Sequence, residues 1–152
     1  MKKKNLLIIL FLLIILCGCS KNTSKSSDEF KSIMRDQKFY VMDTKEQFSE
    51  YDYIKESFAA LDPDEKYLVE FYVLSDAENA LSFYDLNKNI FMAEETDYSV
   101  STNKDKERKN KYTLTTDDKY KVISRIDSTV LYVDAPKNFK NDVKKILKKL
   151  GY

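Results

Sequence analysis

The chain has 152 residues, with 26 Lys and Arg against 25 Asp and Glu, two Gly, two Cys and no His or Trp. Without histidine there is no imidazole base, no Ser-His or Cys-His pair and no His-ligated metal. The glycines are Gly18 and Gly151, so nothing between them can form a G-x-G-x-x-G turn, a Walker loop or a G-x-S-x-G elbow.

Lys2, Lys3 and Lys4 precede an unbroken apolar run from Leu6 to Leu16. Its length matches the hydrophobic core of a signal peptide, whereas spanning a bilayer takes about 20 residues. The run ends Leu16-Cys17-Gly18-Cys19-Ser20, which resembles the lipobox of bacterial lipoproteins: Leu at −3, a small residue at −1 and Cys at +1. The resemblance implies that residues 1–18 leave as a signal peptide, that the cut falls between Gly18 and Cys19, and that the Cys19 thiol carries a diacylglyceryl group with acyl chains such as palmitate. It implies a protein anchored by lipid at the extracytoplasmic face of the cell membrane. Cys17 and Cys19 are both consumed in this scheme, leaving no thiol and no internal disulfide.

After Cys19 comes SKNTSKSS, a polar stretch with nothing apolar to pack, read as a tether over residues 19–27. Eight such residues have an r.m.s. span of about 15 Å, which holds the following domain beside the lipid. That domain is expected over residues 28–152.

Its elements alternate. Ser26 and Glu29 form a capping box, with Phe30, Ile33 and Met34 on one face of a short first helix. Phe39 to Met42 reads as a strand, and Thr44 with Gln47 as a second box opening a short helical piece. Tyr53 to Leu61 is a strand with a solvated centre, joined through Asp62-Pro63-Asp64-Glu65 to a strand from Tyr67 to Leu74. Ser75 and Glu78 suggest a third box, followed by a helical stripe of Ala77, Ala80, Leu81 and Tyr84, joined by Phe83 and Leu86 near it. Ser101 to Asn110 has no apolar residue and reads as a loop or long hairpin arm. Strands follow at Tyr112 to Thr115, Tyr120 to Ile126 and Thr129 to Val133, the last two joined by Asp127-Ser128. Pro136 opens a C-terminal amphipathic helix with a stripe of Phe139, Val143, Ile146, Leu147 and Leu150, ended by Gly151.

Hairpins dominate, so the expected class is α+β: an antiparallel sheet with helices packed mainly on one face, a short first helix and a long C-terminal amphipathic helix. The order strand, strand, helix occurs twice, over Tyr53 to Leu86 and Tyr120 to Leu150, without good residue alignment. The phrases EFYVLSDAENALSFYDLNKN and VKKILKKLGY resemble small single-domain bacterial lipoproteins of uncharacterised activity, a resemblance that implies one domain and an anchor but no chemistry.

Catalytic and metal motifs fail on context. Asp85, Asn87 and Asn89 copy the start of a calcium loop, but Ile90 stands where glycine is needed and Thr96 where a bidentate Glu is needed. Ser101 to Lys104 matches S-x-x-K without the partner motifs. Glu94-Glu95, Asp117-Asp118 and Asp64-Glu65 are adjacent pairs, whose neighbours point apart in a strand. No catalytic residue, metal or cofactor is assigned.

Two surface features remain. Tyr51, Tyr53, Tyr67 and Tyr72 cluster around the first hairpin, where they serve as packing or as recognition aromatics. Asp28 to Asp97 carries 18 acidic and 7 basic side chains, Tyr98 to Tyr152 7 acidic and 14 basic. The bases concentrate at Lys104, Lys106, Arg108, Lys109 and Lys111, and on the last helix at Lys137, Lys140, Lys144, Lys145, Lys148 and Lys149. The helix lysines are a solvated face or a contact to an anionic surface near the membrane. An exported domain without net positive charge is not expected to bind nucleic acid. The first expectation is a non-catalytic recognition or accessory module, with a membrane-proximal protein or anionic surface as partner. The alternatives are a small-ligand-binding lipoprotein, favoured by an apolar pocket, and a carboxylate-dependent hydrolase, favoured by convergent acids.

Overall fold

The computed structural model describes residues 24–152; the expected signal peptide over 1–18, the expected cleavage and lipidation residues Gly18 and Cys19, and the start of the expected tether lie outside them. The chain forms α1 (Ser27–Asp36), β1 (Tyr40–Asp43), a 3-10 turn (Lys45–Phe48), β2 (Ile54–Leu61), β3 (Leu68–Leu74), α2 (Ala77–Met92), β4 (Val100–Lys106), β5 (Lys109–Thr115), β6 (Lys119–Ile126), β7 (Thr129–Pro136), a second 3-10 turn (Lys137–Phe139) and α3 (Lys140–Leu150). The domain is α+β, as the pattern predicts, with a wholly antiparallel sheet in the order β1-β2-β3-β7-β6-β5-β4.

Two meanders run inward from opposite edges and meet at β3 and β7. The first is β1 to β3; the second, β4 to β7, begins at the far edge because α2 carries the chain there across one face. α1 and α3 cover the other face, so two of the three helices share a side. Period-two alternation splits the core accordingly. Phe30, Met34, Phe71, Val133, Val143 and Leu147 lie under α1 and α3, while Tyr72, Leu74, Tyr84, Phe91, Ile123 and Val130 lie under α2. Both core clusters are built from described residues, which gives this span a core on each face of the sheet.

Local chemistry explains the boundaries. The Ser26 hydroxyl accepts from the Glu29 amide at 3.2 Å while the Glu29 carboxylate accepts from the Ser26 amide at 3.0 Å, so the first capping box forms as read. The other two do not. The Ser75 amide donates to the Tyr53 carbonyl at 2.8 Å, which ties Ser75 back to the start of β2 and leaves Asp76 to cap α2 through the Asn79 amide at 2.7 Å. The Thr44 hydroxyl bonds the Ser57 hydroxyl at 2.7 Å instead of capping the turn after it.

α2 is longer than its stripe suggests and is rotated from it. Ala80, Tyr84 and Phe91 are buried, whereas Leu81 and Leu86 are exposed. Ala80 lets the helix approach, and Phe91 packs on Tyr132 with ring centres 5.2 Å apart, fixing that face inward. Asp85, Asn87 and Asn89 sit inside this helix. Gly151 follows α3 at φ +82°, the left-handed conformation glycine adopts without steric cost.

The two strand-strand-helix units have opposite handedness. β3 and β7 are antiparallel neighbours with β2 and β6 outside them, so a rotation relating the units would put α2 and α3 on one face. They lie on opposite faces, which speaks against a simple duplication.

Candidate functional site

Of the two readings of the polar run at Ser101 to Asn110, the hairpin arm is the one that forms. It is most of a hairpin, β4 with β5, whose register sets Thr102 opposite Thr113, Lys104 opposite Lys111 and Lys106 opposite Lys109. Alternation sorts its side chains by charge. Val100, Thr102, Lys104 and Lys106 share a face with Lys109, Lys111, Thr113 and Thr115, while Ser101, Asn103 and Asp105 share the opposite face with Asn110, Tyr112 and Leu114.

The acidic side of this arrangement is neutralised locally. Asp105 accepts from the Asn103 amide at 2.8 Å and the Asn110 amide at 3.0 Å, and lies 3.6 Å from Lys88 of α2. Asp127, at the adjoining turn, is held by Arg108 through bonds of 2.6 and 3.0 Å. Buried Arg125 fixes the hairpin tip: its Nε donates to Asn110 at 2.7 Å, and its terminal nitrogens donate to the carbonyls of Glu107 at 2.7 Å and Asp127 at 3.0 Å. Asp105 and Asp127 thus have partners off the lysine face, and Glu107 lies in the turn that joins β4 to β5.

On that face the cations are uncompensated. Lys104 and Lys111 stand directly opposite each other, as do Lys106 and Lys109, an arrangement that destabilises a sheet pair. α3 lies alongside and adds to it. Lys109 donates to the Gly151 carbonyl at 2.7 Å, and Lys140 donates to the Thr115 hydroxyl at 3.1 Å, so the helix runs antiparallel to β5. Between them lies a cleft of about 260 Å³ whose cations are Lys104, Lys111, Lys140 and Lys144, with no carboxylate in its lining. Thr102 and Thr113 supply hydroxyls, bonded to each other at 2.7 Å, and buried Tyr120 forms the floor beneath the Lys140 ammonium, 5.3 Å from its ring centre. None of these four lysines has an ion pair among the described residues.

Their titration reflects this. Burial lowers the pKa of Lys111, and the charges of Lys109, Lys104 and Lys144 lower it further. Burial followed by Lys144 and Lys137 lowers Lys140, and burial followed by Lys106 lowers Lys109. The charges acting on these three amines are all lysines.

Comparison with protein-family models, with curated proteins and with solved structures finds no match. Function is read from the site itself.

The six helix lysines separate on this geometry. Lys140 and Lys144 line the cleft, Lys137 acts on Lys140 through its charge, and Lys148 continues the same line one turn on, exposed. Lys145 bonds Asp142 at 2.9 Å and Lys149 bonds the Gln37 amide oxygen, so both belong to the other flank of α3. The threonines and Tyr120 have no counterpart in the sequence reading. Their signal was available in the alternation of Lys109, Lys111, Thr113 and Thr115.

The four tyrosines do not form one surface. Tyr67 is buried between Phe39 and Phe139, and Tyr72 is buried on the opposite face between Phe48 and Phe83. Tyr67 directly precedes β3 and continues its alternation, so it and Tyr72 fall on opposite sides of the sheet. Tyr51 and Tyr53 pack edge to face at 5.8 Å, with Tyr51 exposed. As a joint recognition patch the cluster is corrected; Tyr67 and Tyr72 are packing residues.

A second cleft, of about 330 Å³, lies between α3 and the β2–β3 turn over Phe39, Tyr67 and Phe139, with Asp62, Asp142 and Lys145 around it. Burial pushes the Tyr67 hydroxyl up to about 12, helped by the charges of Asp62 and Asp142.

The adjacent acids are spent separately. Glu94 pairs with buried Lys121, Glu95 accepts from the Tyr112 hydroxyl, and Asp118 accepts from Thr116 at 2.8 Å. Ser101 and Lys104 fall on opposite faces of β4, so the S-x-x-K match cannot act as a unit. Among the described residues no group of three or more His, Cys, Asp or Glu could hold a metal ion, and no helix is long and apolar enough to cross a membrane.

Proposed function

We propose that the chain is a lipoprotein anchored through Cys19 at the extracytoplasmic face of the cell membrane, and that its domain is a non-catalytic recognition or accessory module holding an anionic partner there. The anchor rests on the order of Lys2–Lys4, the apolar run to Leu16 and the Cys17-Gly18-Cys19 junction. The module reading is carried by one observation: two lysine pairs are set directly opposite each other on one face of the hairpin, and one of them, Lys104 with Lys111, lines a cleft with Lys140 and Lys144 of α3 that has no carboxylate in its lining. A fold that accepts such repulsion gains from an anion that relieves it. The short tether keeps this face within reach of the bilayer, where each lysine near an anionic surface contributes about 1 kcal/mol.

Labelling of the full chain with a palmitate analogue in its host tests the anchor; label should enter the wild type and be absent from Cys19→Ser. The module reading is tested with residues 24–152 against polyglutamate, phosphate polymers and phosphatidylglycerol vesicles at low and physiological salt. Salt-sensitive binding to an anionic probe is expected, and binding to none of them rejects the reading.

A second reading, capture of a small ligand, has its own observation in the aromatic floor of the cleft beside the β2–β3 turn. Tyr67→Ala would separate the two, weakening small-ligand capture and leaving anion binding in place.

A further inference from the structure

We infer that the lane between α3 and the β4–β5 hairpin binds an extended phosphodiester chain. This rests on the anion-recognition reading and gives its ligand a chemical class. The lysines form two rows. Along the hairpin, successive lysine positions on one face are two residues apart, a rise of about 7 Å. Along α3, Lys140, Lys144 and Lys148 are four residues apart, a rise of about 6 Å. The rows run side by side, because Lys109 reaches the end of α3 and Lys140 reaches the end of β5. A linear polymer with one negative charge per step of that size meets a cation at each unit.

Other anions fit less well. A single phosphate would need lysines converging on a point, and these are strung out along two elements. A flat bilayer cannot enter a recess whose floor is buried Tyr120 and Thr115. The planar fork of arginine suits carboxylate and phosphate alike, whereas lysine meets phosphate as a point charge that asks for no fixed fork geometry. The nearby arginines are committed elsewhere, Arg108 to Asp127 and Arg125 to Asn110 and the hairpin carbonyls. The hydroxyls of Thr102 and Thr113 face the same space and can turn to donate to phosphate oxygens.

The test is fluorescence anisotropy of residues 24–152 with labelled abasic deoxyribose-phosphate oligomers of increasing length. Inorganic phosphate, polyglutamate of matched charge and phosphatidylglycerol vesicles are the competitors. Affinity should rise with oligomer length, exceed that for polyglutamate at least tenfold, and fall at least tenfold in the Lys111→Gln/Lys144→Gln variant with no loss of thermal stability. Lys55→Gln, an exposed lysine on β2, should leave it unchanged. Equal affinity for polyglutamate, binding to vesicles alone, or indifference to the double substitution would overturn the phosphodiester inference and leave anion recognition standing. Failure of every anionic probe would end both.

Discussion

Lys104 and Lys111 occupy directly opposed positions on the face of the β4–β5 hairpin that looks toward α3, with no acid to separate their charges. Opposite charges at such positions stabilise a sheet and like charges weaken it, each by about 0.2–1 kcal/mol. Lys104→Glu exchanges one for the other. The melting temperature should rise by a few degrees while anion binding falls, and paired thermal unfolding and binding measurements check both at once. A substitution that lowered stability and binding together would mean that the pair supports the fold.

Arg125 positions the lysines without belonging to their face. It ties Asn110, the Glu107 carbonyl and the Asp127 carbonyl, so it fixes where the hairpin tip sits relative to β6. Hydrogen bonds of a charged group are each worth about 1.5–3 kcal/mol when their removal leaves buried partners unmet. Arg125→Ala should speed amide exchange selectively at residues 105–110 and weaken anion binding, whereas Arg125→Lys should restore part of the binding. Exchange that rose uniformly across the sheet would point to a general loss of stability instead.

Alkaline pH separates two opposing groups. The folded pKa values of Lys109, Lys111 and Lys140 lie below the ordinary 10.5, so protonation costs the folded state, and that cost is relieved as pH rises toward 10.5. Tyr67 and Tyr112 are pushed up to about 12, each chiefly by burial, with Asp62 assisting at Tyr67 and Glu95 at Tyr112. Unfolded tyrosine ionises near 10, so their contribution is intact below pH 10 and lost between 10 and about 12. Thermal melts across this range should show stability held or rising up to pH 10 and falling above it. Anion binding should begin to weaken below pH 10.5, ahead of ordinary lysines.

The core offers a control remote from the lysines. Phe30 of α1 stacks on Phe71 of β3 with ring centres 4.7 Å apart, both fully buried. Phe30→Ala should cost about 3–5 kcal/mol in denaturant unfolding. Among molecules that remain folded, anion affinity should be unchanged.

What could be read from the sequence follows the range of the interactions. The Ser26–Glu29 box and the Gly151 stop depend on residues within a turn of each other, and both form as their spacing implies. Asp76 displaced Ser75 as the cap of α2 because Ser75 is claimed by Tyr53, a partner 22 positions away. The run from Ser101 to Asn110 lacked any apolar residue, and apolar periodicity is the signal by which strands are found. Its order comes from β5 beside it and from the buried Arg125 beneath its tip. The basic density at Lys104–Lys111 and on the last helix was visible from charge alone. That Lys104, Lys111, Lys140 and Lys144 would converge, and that Lys145 and Lys149 would turn away, depended on α3 lying along β5. Tyr67 and Tyr72 show the reverse, near in sequence and divided by the parity of one strand.

Lysine-resolved NMR tests the central claim most directly. Residues 24–152, with lysines reductively labelled as 13C-dimethylamines, would be titrated with a short abasic phosphodiester oligomer. Lys104, Lys111, Lys140 and Lys144 should shift together along one saturable curve, while Lys55, Lys145 and Lys149 stay in place. Uniform small shifts across all lysines, or shifts confined to residues outside the lane, would contradict the assignment of this face as an anion-binding site.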